Sequence, residues 1–298
     1  MKWFWMSTLA VVGLAACSGG NPFTQTTENT DATATVPTTI SSDLDSFTYD
    51  PVAQTLTVRG ISLDNNPLEA VYSRRPALDR NGYEAYTTQA GPLDRHATGY
   101  VRDIDGTRAG IFVTGGQFGR YFGGGAQSRT GGFDRPDGNN ATGSVSYAGN
   151  YIGLLNGAGD AGDLLPTAPG TPTAVLPTQA AEVTGAIFIN ADFTDNIVNG
   201  VIYNRQIVDS PATTIENLEL APSTIETDGT FTGDVSQNGQ DRGDYAGIFG
   251  GTDAAVVAGT LFTEDHMANA LDEEEFGVFV LAQCGTAQAS AICNQPTP

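Results

Sequence analysis

Glycine recurs inside apolar, strand-length runs of this 298-residue chain, where the interior of a strand ordinarily wants side chains to pack. The run RGDYAGIFGGTDAAVVAGTLFTED, residues 242 to 265, shows it best, setting aromatic and branched residues among Gly243, Gly247, Gly250, Gly251 and Gly259. Gly149, Gly153, Gly185, Gly200 and Gly233 stand in similar surroundings. Strands that bend and coil to close a small barrel accept glycine at the bends, and a neighbouring aromatic covers the bare backbone. No window shows sustained helical periodicity. From Ala141 onward come ATGSVSYAG, NYIGLLNG, EVTGAIFINADF, NIVNGVIYNRQIV, IENLELAPSTIE, GTFTGDVS, DYAGIFGG, AAVVAGTLFTE and EFGVFVLAQC, with turn signals between them. That is about eight strands at the spacing of a closed antiparallel sheet, with ADFTDNIVNG as its clearest hairpin. Residues 158 to 181, rich in Gly, Ala and Pro, read as a mobile surface loop within it.

Residues 46 to 140 have a different texture, with short alternating runs and irregular connections. SFTYDPVAQTLTVRG carries a hairpin signal, RDIDGTR reads as a polar hairpin turn, and GGQFGRYFGGG as a bent β-ribbon. GGGAQSRTGGFDRPDGNN, residues 123 to 140, reads as a loop or bulged ribbon leading to the next unit. The expected fold class is therefore all-β: a small β-rich handle domain (46–140) followed by a C-terminal antiparallel β-barrel (141–298).

The chain opens with Lys2 and an apolar run ending in LAAC at Leu14 to Cys17, too short to span a bilayer. Residues 1 to 16 read as a signal peptide and Cys17 as a lipidated cysteine that becomes the new N-terminus, so the membrane is a partner through the N-terminal lipid. Ser18 in place of aspartate favours the outer membrane, at its surface or periplasmic face. Residues 17 to 45, rich in Ser and Thr and without a basic residue, read as a flexible tether lifting the body off the membrane. The other two cysteines, Cys284 and Cys293, read as one disulfide closing a short loop of an exported chain.

Lys2 is the only lysine, and the net charge is −21. Such a chain does not bind nucleic acid. The charge is uneven: residues 46 to 140 hold 10 Arg against 10 acids, and residues 141 to 298 hold 2 Arg against 20. A break this sharp marks two structural units.

From Ala141 to Gln283, four runs resemble the barrel domain of transferrin-binding protein B-like surface lipoproteins: GSVSYAGNYIG, ADFTDNIVNGVIYN, DGTFTGDVS and YAGIFGGTDAAVVAGTLF. The resemblance implies a handle before each barrel, one lobe of the two that full transferrin binders carry, and a protein or haem/iron ligand.

Enzyme motifs are missing: the sequence has no G-x-S-x-G, no Walker loop and no Rossmann fingerprint. No catalytic residue, metal site or cofactor is expected. The two histidines are His96 and His266; the second could meet haem or a metal with Tyr245 or Glu264, but reads first as a surface residue, and DEEEF, residues 272 to 276, as a solvated acidic loop. A partner surface is sought in the Arg- and Tyr-rich unit, at Arg74, Arg75, Tyr83, Tyr86, Tyr100, Arg102 and Tyr121, because Arg with Tyr is the composition of binding hot spots. The alternative is that these arginines pair with local acids or with the acidic barrel. The expected function is a non-catalytic, solute-binding cell-surface lipoprotein, with iron, haem or another nutrient as ligand; the alternative is a structural or adhesion lipoprotein.

Overall fold

The computed structural model describes residues 22–24, 35–61, 67–136, 144–268 and 270–296. The leader and Cys17 lie outside the described residues. Among these residues, seventeen strands form two sheets.

The first sheet is a meander of β1 (Phe23–Thr24), β2 (Leu44–Asp50), β3 (Thr55–Ile61), β4 (Pro67–Arg74), β5 (Glu84–Thr88), β6 (Ala97–Ile104), β7 (Thr107–Thr114) and β8 (Gly123–Arg129). Its turns follow local chemistry. Asp50 Oδ1 accepts from the Val52 and Ala53 amides at the β2–β3 turn, and Asp105 and Gly106 take positive φ in the β6–β7 hairpin. The two ends of the sheet nearly meet: the Asp43 amide donates to Gly123 O, and the Gly123 amide donates to Asp43 Oδ2. The stretch expected to be a loop or ribbon at 123 to 140 therefore begins with a strand, and β8 is buried along its whole length. Its glycines are the reason: Gly123 lies under the Phe276 ring and Gly124 against Ser41 O and Leu44, where a Cβ would collide.

The second sheet contains β9 (Ser144–Ala158), β10 (Ala180–Asp192), β11 (Ile197–Ile207), β12 (Ser210–Ile215), β13 (Leu218–Thr224), β14 (Thr230–Gln237), β15 (Gln240–Gly250), β16 (Val256–Glu264) and β17 (Glu274–Ala282). Eight of these close an antiparallel barrel in the order β9, β10, β11, β13, β14, β15, β16, β17 and back to β9, while β12 folds onto β11. ATGSVSYAG and NYIGLLNG, which read as two strands, are one 15-residue strand, because Gly149 continues the ladder instead of ending it.

The barrel interior is filled. Rings of Phe193, Phe231, Phe249, Tyr147 and Tyr245 form a connected cluster with centroids 5.0 to 6.0 Å apart. Gly247 and Gly259 are opposite each other on β15 and β16; a methyl group on the first would strike the Phe231 ring, and on the second the Phe279 ring. These glycines make room for the aromatic layer. The alternate residues Ile248, Ala258, Val278 and Val280 point outward, yet they too are buried, in a shared core with Tyr83, Tyr100, Ile111 and Val113 of the first sheet. Within the run 242 to 265, the stretches 245–250 and 256–261 are nearly all apolar because both of their faces are covered.

Tyr83 joins the units at their contact: its hydroxyl donates to Asn150 O (2.9 Å) and accepts from the Val280 amide (3.0 Å). Cys284 and Cys293 form the expected disulfide.

Part of the stretch read as tether is packed. Phe23 is buried edge-on to Phe47 (5.2 Å), β1 pairs in parallel with β2, and Val36 and Ile40, the latter in the short helix Thr38–Ser41, are also buried. Phe23, Val36 and Ile40, with Leu44, pack the described pieces of 22–45 into the core of the sheet.

Replacing Gly247 with Val forces the Phe231 ring out of its place and is expected to cost about 1–3 kcal/mol. Thermal unfolding followed by circular dichroism checks this, and Gly247→Val combined with Phe231→Ala should lose less than the sum of the two single changes.

Candidate binding face

Most of the residues singled out as a partner surface are structural. Tyr83, Tyr86 and Tyr100 are buried, because their rings supply core that the thin sheet otherwise lacks. The Tyr100 hydroxyl donates to Leu78 O, and Tyr86's donates to Glu84. Arg74 pairs with Asp79 and Glu84 and lies 5.5 Å from the Tyr86 ring; Arg102 lies 5.4 Å from the Tyr83 ring. Arg75 pairs with Asp163 and Arg80 with Glu182 (2.9 Å), both acids coming from the second half of the chain. Arg74 and Arg75 are thus committed to a local acid and to the acidic half, Arg102 lies against the Tyr83 ring, and of the seven only Tyr121 lies in the loop face described next.

At one end of the molecule three connections converge: 89–96, 115–122 and 159–179. The Gln117 amide side chain donates to Leu93 O (2.8 Å) and Val175 O (3.0 Å), tying all three together. The Arg95 guanidinium donates to the carbonyls of Gly115, Gln117 and Arg120. Thr178 N donates to Gly116 O, and Leu165 N to Gln89 Oε1. The insertion read as a mobile loop is therefore strapped to the first sheet, with Asp163 as its clasp: Oδ1 accepts from Arg75 and Oδ2 lies 3.0 Å from His96 Nε2. Burial opposes the charge on Asp163, but hydrogen bonds from Arg75, His96 and Thr87 hold its carboxyl below the usual range.

A fourth loop, 265–273 of the barrel, adjoins through Tyr121, whose hydroxyl is pushed up by burial and by the nearby charges of Glu274 and Asp272. This loop stands on a buried polar network. Arg205 Nη2 donates to Glu275 Oε2 (2.7 Å), Tyr151 to Glu275 Oε1 (2.5 Å), and His266 Nε2 lies 3.1 Å from Glu275 Oε2. Glu273 accepts from the Met267 amide, and Gln237 donates to His266 O (2.9 Å). Burial disfavours ionised Glu275, yet the Arg205 charge and the His266 and Tyr151 hydrogen bonds bring its pKa down to about 2. His266 is thus not a surface residue, and the acids of 272–276 are not a solvated run: Glu273 and Glu275 alternate inward, where Arg205 and His266 await them. Thr263 Oγ1, 3.4 Å from His266 Nδ1, completes a hydroxyl, imidazole and carboxylate array, all three groups of which are buried.

The rigid loops expose apolar tips. Of seven exposed large hydrophobic residues among the described ones, Leu93 (50 %), Phe118 (61 %), Leu165 (40 %) and Leu271 (92 %) are on these four loops. Phe118 is the most unusual. It has φ 56° and Gly119 φ 67°, between the bridged pair Gln117 and Arg120, the arrangement of a two-residue hairpin turn that favours Asn-Gly. A bulky residue in the left-handed region costs about 1–3 kcal/mol, and residues held this way cluster at functional sites. The sequence reading passed over it; its one signal is an aromatic directly before glycine in QFGR.

No family model and no curated protein sequence matches the chain. Among solved structures it is similar to intact Ap-TbpB with its N and C lobes (10 % identity, TM-score 0.36, 79 % of this chain and 53 % of that one). It is also similar to a double mutant of the Haemophilus parasuis Hp5 transferrin-binding protein B vaccine antigen (10 %, 0.39, 79 % and 52 %). A third is the isotype 1 transferrin-binding protein B of serogroup B Neisseria meningitidis (14 %, 0.31, 79 % and 51 %). The chain spans about half the length of these structures, and at 10 to 14 % identity the likeness says nothing of a ligand.

Glu275→Gln leaves Arg205 buried without its counter-charge and is expected to cost about 3–5 kcal/mol in urea unfolding, whereas Arg205→Met with Glu275→Leu recovers most of that. Glu275 has a folded-state pKa below its ordinary 4.5, so its contribution is complete above pH 4.5 and is lost as pH falls towards 2; the unfolding midpoint should decline across that window and lose part of that decline in the double variant. Separately, Phe118→Asn relieves the left-handed strain and should raise stability by up to about 1 kcal/mol, read as a higher thermal midpoint.

Proposed function

We propose that this chain is an outer-membrane lipoprotein anchored at Cys17 and acting as a non-catalytic binding module that meets its partner through the loop face. The observation that carries the reading is Phe118: an exposed aromatic, kept in a strained conformation at the tip of a loop that Arg95 and Gln117 hold rigid. Binding residues on loops positioned by a rigid scaffold are the common arrangement. A contact made through separated apolar tips suits an extended surface better than a small molecule. Haem or iron capture, the ligand class implied by the motif resemblance, draws no support from the histidines, since His96 and His266 are buried against Asp163 and Glu275.

Three measurements test this. Mass spectrometry of the protein from membranes should find Cys17 acylated, and Cys17→Ser should release the chain from the membrane fraction. Haem titration should leave the Soret band of free haem unchanged, with His266→Ala indistinguishable from the parent; a shifted band lost in that variant would restore haem capture. Photo-crosslinking in intact cells from benzoylphenylalanine at position 118 should yield adducts, and from position 52, at the β2–β3 turn, none. The reverse pattern sinks the loop face as the contact surface.

A further inference from the structure

The amino end of β1, on the side that leads back to Cys17, and the loop face belong to the same end of the molecule, and from this we infer that the loop face docks on the lipid surface that holds the acylated cysteine. The inference rests on Cys17 being the anchor, and names the partner of the face proposed above. β1 runs parallel to β2, so its amino end, the side of Cys17, points towards the end where β2 begins. There Asp43 is hydrogen-bonded to Gly123, the residue to which the Phe118 loop returns. The first described residue is Pro22, whose carbonyl accepts from the Phe47 amide. Four residues lie between it and Cys17, and the five extended steps they span reach at most about 18 Å. Phe47 is itself three residues inside β2, about 10 Å from the strand's start. A lipid on Cys17 can therefore lie at most about 8 Å beyond the sheet's end, which holds the bilayer near the level of the loops there. A long tether would have left the face free; this one does not.

The composition of the face suits an uncharged lipid surface. Phe118 and Leu271 are exposed on these loops together with Asp94, Asp160, Asp265 and Asp272, against one exposed arginine, Arg120, so the balance of charge near the apolar tips is acidic and anionic lipid is repelled.

The mature chain lends itself to a direct test, because its sole thiol outside the disulfide is Cys17 and both tryptophans, Trp3 and Trp5, leave with the leader. The mature protein carrying Phe118→Trp, Leu271→Trp or Val52→Trp is coupled at Cys17 to a dipalmitoyl maleimide and bound to phosphatidylcholine vesicles containing bromine-labelled acyl chains. The expected result is fluorescence quenching at least twofold for positions 118 and 271, none at 52, and weaker quenching when a third of the lipid is made anionic. Quenching at position 52 alone, or at no position, overturns the inference. So does a crosslink from position 118 in cells that goes to a protein while the vesicle tips stay unquenched. Because the lipid is attached chemically, that failure is distinct from failure of the lipoprotein reading, which is an unacylated Cys17 in cells.

Discussion

Close contact between aromatic rings and bare glycine backbone is the interaction on which the barrel depends. Gly233, Gly247, Gly259 and Gly277 point their missing side chains inward at Tyr245, Phe231, Phe279 and Tyr151, each ring coming from a neighbouring strand. Aromatic coverage of strand glycines repays the entropy that glycine loses on folding and lets the wall coil tightly enough to close. Closure in turn leaves these strands without an edge and fills the interior with rings, so contact with other molecules is left to the outer surface and the loops.

The same device accommodates charge. Glu275 lies over Gly153 and Arg205 over Gly185, so the polar layer near the loop end occupies space that glycine provides, as the aromatic layer does deeper in. A buried ion pair is poor evidence of net stabilisation, since desolvation offsets much of the attraction. Its value here lies in position. Through His266 and Glu273 it fixes the start and finish of the 265–273 loop, and Arg95 and Gln117 of the first unit, with Asp163 of the second, do the same for three more. The loops are ordered by side chains beneath them, which leaves their tips free for contact.

Much of the fold was legible because the signals were local. Hairpins announced themselves through Asp-Gly and Thr-Asp-Asn turns, and the barrel through strand count and glycine spacing. What was not legible depended on who covers whom. GGGAQSR has no apolar pattern, and its burial in β8 follows only from the neighbouring barrel wall. Tyr83, Tyr86 and Tyr100 have the composition of a binding surface, and nothing local distinguishes them from the core of a small sheet. His266 and the acids after it looked solvated because their partner, Arg205, is about 60 residues away in sequence. Phe118 escaped notice because a left-handed φ leaves no trace in composition.

The charge break at Ala141, which divided the chain into two units, is also part of what joins them. Arg75 and Arg80 of the neutral unit reach Asp163 and Glu182 of the acidic one, so the excess of acid is partly spent across the contact. The two pairs are unequal. Arg75 is half exposed, and screening by salt leaves such a pair worth at most about 1 kcal/mol. Glu182 is buried, and burial raises its pKa even beside Arg80, so the acid tolerates its site only while that arginine is in place. Removing Arg80 would leave an acid in the interface that prefers to be neutral. The joint therefore rests on the Arg80 pair, on the Tyr83 hydroxyl and on the shared apolar layer, while Arg75 and Asp163 serve mainly to close the strap across the loop face.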